Sequence, residues 1–186
     1  MSDDPDSIGV AVEVSILDSA WLKNLSDPAE VARHAALAAL SGAARPKDFD
    51  GTMEVSVVLT DDAQVRALNL RFRGEDKPTN VLSFAALDAA DEAPELQGPA
   101  AEPLLLGDVL LARGVVVREA REQDKSLGDH LSHLVVHGVL HLLGYDHEKE
   151  DQATEMENLE VNCLASLGIA DPYRAVDRDI AAGAGG

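Results

Sequence analysis

The stretch HGVLHLLGYDH, residues 137–147, places three histidines in a pattern that predicts a helix followed by a turn. Residues four apart in a helix lie on the same face, so His137 and His141 are expected one turn apart on one face. Gly144 predicts the end of the helix, because a glycine with positive φ lets the chain reverse. The reversal carries His147 back toward the other two imidazoles.

Three converging imidazoles predict a metal site. They suit zinc and leave a fourth tetrahedral position for water, which is typical of a catalytic site, and a cation there lowers the pKa of the water from 15.7 to about 7. The sequence therefore predicts one Zn²⁺ per chain, bound by His137, His141 and His147, with His137 also counted as catalytic. His133 is assigned to the core or to the surroundings of the ligands, because a fourth histidine would close the site. Nickel, copper and iron also suit imidazole, so the spacing leaves the metal open.

The spacing HxxxHxxGxxH is that of metzincin proteases, which carry a glutamate directly after the first histidine as general base. Gly138 stands at that position here, and a glycine cannot abstract a proton. The pattern thus predicts a metal-dependent hydrolase without the protease base. A peptidase or amidohydrolase that recruits a distant carboxylate is the alternative.

Hydrophobic periodicity around this stretch predicts an α+β fold, with a small mixed sheet of about four strands covered on one face by about five helices. The zinc site falls at a helix-turn after the sheet. We expect one metallohydrolase domain over residues 1–186, with flexible termini at about 1–7 and 177–186 and an acidic surface loop at 88–104. The predicted strands are 10–16, 53–60, 81–85 and 107–112; the predicted helices are 28–42, 61–73 with Thr60 as its cap, 113–124, 128–143 and 148–167.

The amino-acid composition limits which partners the protein is expected to bind. A net charge of −19 argues against general affinity for nucleic acid, so DNA is not expected and any polyanion must meet a local basic patch. Basic residues outnumber acidic ones in 113–125. The acidic N-terminus, the absence of a long apolar run and the single Cys163 predict a soluble, cytoplasmic protein with no membrane partner. Three glutamates in the last predicted helix are interpreted as a solvated face: Glu155, Glu157 and Glu160.

Three blocks in this order, RFRGEDKPTNVLSF (71–84), LLGDVLLA (105–112) and HGVLHLLGYDH, closely resemble the YbeY family of bacterial rRNA maturation factors. The resemblance implies a single-strand-specific, metal-dependent endoribonuclease that acts in maturation of the 3′ end of 16S rRNA and in ribosome quality control. Its partners would be single-stranded RNA and the small ribosomal subunit with its proteins. By position, the family's zinc ligands fall on His137, His141 and His147, and its functionally important arginine falls on Arg73. Ala85 departs from the proline that many members have there.

The residues themselves also support Arg73 as a catalytic candidate. It lies near Arg71 and Lys77 in a turn before a strand, where a guanidinium can bind phosphate through two hydrogen bonds. The alternative is a solvated arginine at a helix end. Asp146 either orients a ligand imidazole or makes local backbone hydrogen bonds. A third hypothesis for the whole chain is a non-catalytic ribosome-assembly factor whose acidic surface binds basic ribosomal proteins.

Overall fold

The computed structural model describes residues 9–46, 49, 51–86 and 103–174. It confirms an α+β fold with a four-stranded mixed sheet. The strands are β1 (Val10–Ile16), β2 (Met53–Thr60), β3 (Val81–Ala85) and β4 (Leu104–Ala112). The helices are α1 (Trp21–Asn24), α2 (Pro28–Gly42), α3 (Asp62–Arg73), α4 (Arg113–Glu122), α5 (Leu127–Leu142) and α6 (Glu150–Ser166). No helix within the described ranges is long and apolar enough to cross a membrane.

The sheet has the strand order β1-β2-β4-β3. The first three of these strands are parallel, with Val57 paired to Val109, whereas β3 runs antiparallel to β4, with Ser83 paired to Val109. A bulge interrupts the pairing of β2 and β4 near Gly107, whose φ is +134°. A Cβ at Gly107 would lie 2.1 Å from the backbone oxygen of Phe84, so only glycine fits this close approach.

The main core lies between one face of the sheet and helices α2, α5 and α6. Side chains of β2 alternate, so Val55, Val57 and Leu59 are fully buried on this face. Each such side chain contributes roughly 1.5–3 kcal/mol when buried. The sequence predicted one covered face, but α3 also packs on the other, where Val65 joins Leu82 in a second small cluster.

Two predicted boundaries are wrong. Asp61, not Thr60, caps α3: its carboxylate accepts a hydrogen bond of 2.8 Å from the backbone N–H of Gln64, because Thr60 is still paired in β2. Strand β4 begins at Leu104 rather than 107, so the predicted acidic loop extends too far. The remainder of that loop, except Pro103, and both predicted flexible termini lie outside the described residues.

Gly138 sets the distance between α5 and the sheet. A Cβ built there would lie 2.6 Å from Val109 Cγ1, which is closer than real Cβ contacts allow, and 3.1 Å from Ser83 Oγ, which is tight. The Ser83 hydroxyl donates a hydrogen bond of 3.1 Å to the Gly138 carbonyl. The position that holds the catalytic base in metzincins therefore faces strands β3 and β4 in this chain.

We expect Gly138→Ala to destabilise the protein. Overpacking against the rigid Val109 costs about 1–3 kcal/mol, which outweighs the gain of about 1 kcal/mol in helix propensity. Gly128→Ala, in the first turn of the same helix, is the matched control, because its Cβ would meet nothing closer than 3.9 Å. Urea unfolding should show a lower free energy of unfolding for Gly138→Ala and no decrease for Gly128→Ala. Equal stability of the two variants would contradict the packing argument.

Candidate metal centre

The three histidines of the 137–147 stretch converge as the sequence predicted. His137 and His141 project from the last turns of α5, and the helix ends where Gly144 has a φ of +94°. One nitrogen from each of His137, His141 and His147 lies within 4.8 Å of the others. The Nε2 atoms of His137 and His141 are 3.0 Å apart. Two nitrogens bound tetrahedrally at 2.0–2.1 Å would be about 3.3 Å apart, so this pair fits a shared metal ion.

The turn after α5 is fixed by its own backbone and by the segment that follows α2. The Tyr145 N–H donates to the Leu140 carbonyl at 3.1 Å, and the Tyr145 hydroxyl accepts from the Ala44 N–H at 3.3 Å. The Tyr145 carbonyl lies 3.0 Å from His141 Nδ1 and accepts its proton. This contact leaves His141 Nε2 unprotonated and directed at the cluster. Burial, followed by the neighbouring His137 and His147 rings, lowers the pKa of His141, which favours the neutral form that binds metal.

Glu160, on α6, orients the ring of His137. One of its oxygens accepts a hydrogen bond from His137 Nδ1, so the Nε2 atom of that ring is left for a metal. Its second oxygen accepts from His133 Nε2 at 2.9 Å and from the Tyr173 hydroxyl. Burial alone would raise the pKa of Glu160, but the hydrogen bonds from His133, His137 and Tyr173 lower it to about 2. Glu160 is therefore a buried carboxylate that stays ionised.

The interpretation of Glu160 as part of a solvated face is wrong, since the residue is 1% exposed. Glu155 and Glu157 are exposed as expected. The signal that was missed is the apolar stripe of α6, because Met156, Cys163 and Leu164 are buried on the same side and Glu160 lies between them. A carboxylate inside such a stripe needs buried partners.

The other histidines and Asp146 have local partners. His133 binds Glu160 and takes no place in the cluster, in keeping with its predicted position behind the ligands. His34 is exposed on α2, and His130 is buried beside Glu119. The Asp146 carboxylate accepts from the backbone N–H of His147 at 2.7 Å and lies 4.0 Å from its ring, so its contact is local.

A cleft of about 460 Å³ contains the three imidazoles. One wall is the end of α5 and another is β3, through Ser83 and Ala85. Arg73, the last residue of α3, lines the same cleft. The structure thus brings Arg73 together with His137, His141 and His147, although the turn that carries it is distant in sequence. The four basic residues of 113–125 are not among the described residues that line this cleft, and Arg113 instead pairs with Asp18 at 2.6 Å.

We expect His137→Ala, His141→Ala and His147→Ala each to lower the content of bound divalent ion, because each removes one of three ligands. His34→Ala is the control, since that ring is exposed on α2 and is not part of the cluster. Elemental analysis of folded, dialysed protein measures the outcome. Full metal content in all three variants would place the ion elsewhere.

Glu160→Gln should weaken metal binding about 10–100-fold, because the neutral amide is a poorer acceptor for the His137 proton and orients that ring less firmly. Glu157→Gln, on the exposed side of the same helix, should leave the affinity unchanged. Competition against a chromophoric chelator gives both affinities. If the two variants bind metal equally well, Glu160 has no part in positioning His137.

The sequence of this chain is similar to that of known proteins. The model of the family described as Endoribonuclease YbeY matches residues 22–168. A protein from Rhodospirillum rubrum, named Endoribonuclease YbeY, is 50% identical over 91% of this chain and 84% of its own length. One of the same name from Paramagnetospirillum magneticum is 50% identical over 90% of this chain and 98% of its own length.

A third protein named Endoribonuclease YbeY, from Magnetococcus marinus, is 57% identical over 65% of this chain and 83% of its own length. A solution structure from Thermotoga maritima covers 89% of this chain and 100% of its own at 22% identity, with a TM-score of 0.48. The family match spans most of the chain and includes all three histidines and Arg73. The chain belongs to the Endoribonuclease YbeY family.

Proposed function

We propose that this chain is a metal-dependent endoribonuclease that cleaves single-stranded RNA in the cleft between α5 and β3. The family and the names of its relatives support the activity. The observation that carries the proposal is the presence of Arg73 in the same cleft as the three-histidine cluster. A phosphate and a metal ion would meet there.

The electrostatics of the cleft favour an anionic substrate. The chain has a net charge of −19, yet the described residues that line the cleft include no carboxylate. Arg73 is exposed and forms no ion pair within the described ranges, unlike Arg66, which binds Asp76 at 2.7 Å. Its guanidinium is thus available to bind a phosphate group, which a Lys would hold only as a point charge.

The chain's own residues divide the work of the reaction. The imidazoles of His137, His141 and His147 hold the ion, and Glu160 keeps the His137 ring oriented. A divalent ion bound there supplies a Lewis acid and lowers the pKa of water. Arg73 binds the scissile phosphate or its neighbour and stabilises the charge that develops on its oxygens.

The described lining of the cleft contains no carboxylate that would act as general base. Either an activated water or the 2′-hydroxyl of the RNA is therefore the attacking group, and analysis of the product ends separates the two routes. The same feature counts against the peptidase or amidohydrolase alternative, because that reaction needs a recruited carboxylate. Gly138, where a protease carries its base, faces the sheet.

The finer assignment follows the family resemblance. We infer that the ion is one Zn²⁺ per chain, that the substrate is the 3′ end of 16S rRNA, and that the protein acts in the cytoplasm on the small ribosomal subunit during maturation and quality control. Three imidazole nitrogens are ligands that zinc prefers.

Purified protein tests the activity with single-stranded and double-stranded RNA, with and without a chelator. We expect cleavage of the single strand alone, loss of cleavage on chelation and recovery when zinc is returned. Binding to ribosomal subunits without cleavage would favour the non-catalytic assembly factor. Hydrolysis of peptides or amides would favour the alternative enzyme.

Arg73→Ala should lose on the order of 100-fold in cleavage rate, the usual cost of removing one preorganised donor. It should keep its metal and its melting temperature, since an exposed arginine at a helix end contributes under about 1 kcal/mol. Arg73→Lys should recover part of the rate.

Arg71→Ala is the matched control for Arg73. Arg71 lies over the Phe72 ring at 5.1 Å and is not among the residues that line the cleft. Its loss should leave cleavage nearly unchanged. Cleavage by Arg73→Ala at the rate of Arg71→Ala would remove Arg73 from the mechanism.

A further inference from the structure

A second cleft, of about 380 Å³, adjoins the metal cleft. The two share Arg73, Thr79 and Asn80 as lining residues, so they meet along the turn between α3 and β3. Val115 and Glu119 of α4 line the second cleft but not the metal cleft. A chain of nucleotides that places one phosphate at Arg73 would therefore have room for a neighbouring group on the side away from the metal ligands.

Glu119 is held in a fixed position in the wall of this second cleft. Its carboxylate accepts hydrogen bonds from Asn80 Nδ2 at 3.1 and 3.3 Å and from His130 Nε2 at 2.8 Å. His130 is 3% exposed, which anchors the contact in the core. The Glu119 side chain remains 25% exposed. Within the described ranges its Oε1 atom accepts one hydrogen bond, from Asn80, and a carboxylate oxygen can accept two, so acceptor capacity is left for a ligand.

The charges decide which part of a nucleotide fits there. Glu119 and Glu75 both line the second cleft, and Lys77 beside them is paired with Glu75 at 3.2 Å. A phosphate placed beyond Arg73 would be repelled by Glu119, which pairs with no Lys or Arg within the described ranges. Ribose hydroxyls and the amino groups of bases are donors, and a carboxylate accepts from them. The cleft is thus suited to the neutral part of a nucleotide.

We propose that the second cleft binds the nucleoside adjoining the phosphate held by Arg73, and that Glu119 accepts hydrogen bonds from its hydroxyl or amino groups. This inference rests on the proposed function in taking RNA as the ligand. Asn80 and His130 act as positioning residues for Glu119. The two clefts together bind a phosphate and the nucleoside attached to it.

Binding of small probes to the zinc-loaded protein tests this site without any cleavage. The probes are adenosine 3′-monophosphate, adenosine 5′-monophosphate and inorganic phosphate, titrated while backbone amide resonances are followed by NMR. At least one nucleotide should bind about 10-fold more tightly than phosphate, the gain expected from one hydrogen bond to a charged group. It should also shift the amides of Asn80 and Val115. Equal affinity for all three probes would overturn the proposal.

Two variants connect the preference to the second cleft. Glu119→Gln should abolish the advantage of the nucleotide over phosphate, whereas Glu122→Gln, an exposed residue on the same helix, should preserve it. Glu119→Asp keeps the negative charge but withdraws the carboxylate by one methylene, so it should also reduce the advantage of the nucleotide without changing phosphate binding, which keeps the test valid if Glu119→Gln fails to fold. Retention of the full preference in folded Glu119→Asp or in folded Glu119→Gln would also overturn the proposal.

The outcome is separable from that of the proposed function. Nucleotide preference in a protein that cleaves no RNA would reject the nuclease and support the nucleoside site. RNA cleavage without any nucleotide preference would support the nuclease and reject the second cleft as a binding site.

Discussion

The hydrogen bond between the Glu160 carboxylate and His137 Nδ1 connects the packing of the helices to the candidate site. An ionised carboxylate that is 1% exposed is costly unless donors surround it. His133 and His137 of α5 and Tyr173 beyond α6 supply those donors. The same contacts that make the buried charge tolerable also fix the His137 ring, so α6 cannot leave α5 without both exposing the core and releasing the His137 ring.

The local part of the site was predictable because helix geometry alone determines it. The four-residue spacing of His137 and His141 and the positive φ of Gly144 need no knowledge of distant contacts. The position of Arg73 in the cleft depends on how α3 and β3 pack against α5, which no local spacing encodes. The family resemblance singled out Arg73, and the fold explains why it lies beside the histidines.

In the fold, too, the features set by local sequence were predictable and those set by distant contacts were not. Periodicity predicted β3 at its observed bounds, and the Asp27, Pro28 and Gly42 signals predicted those of α2. It could not predict that β3 pairs antiparallel with β4 at the edge of the sheet, since that order depends on pairing between distant segments. Glu160 was missed for a related reason. Charge predicts exposure on average, and only the buried neighbours Met156 and Cys163 show that this glutamate faces inward.

One side of helix α5 packs in the core, and the other side faces the candidate site. Val135, Val136 and Val139 are buried in the main core, while His137 and His141 face the cleft. Arg73 reaches that cleft from α3, which packs on the other face of the sheet. The distance between the Arg73 guanidinium and the imidazoles therefore depends on how closely α5 approaches β3 and β4. Gly138 permits that close approach. A side chain there would force α5, and with it His137 and His141, away from Val109 and Ser83, so this glycine contributes to the geometry of the candidate site.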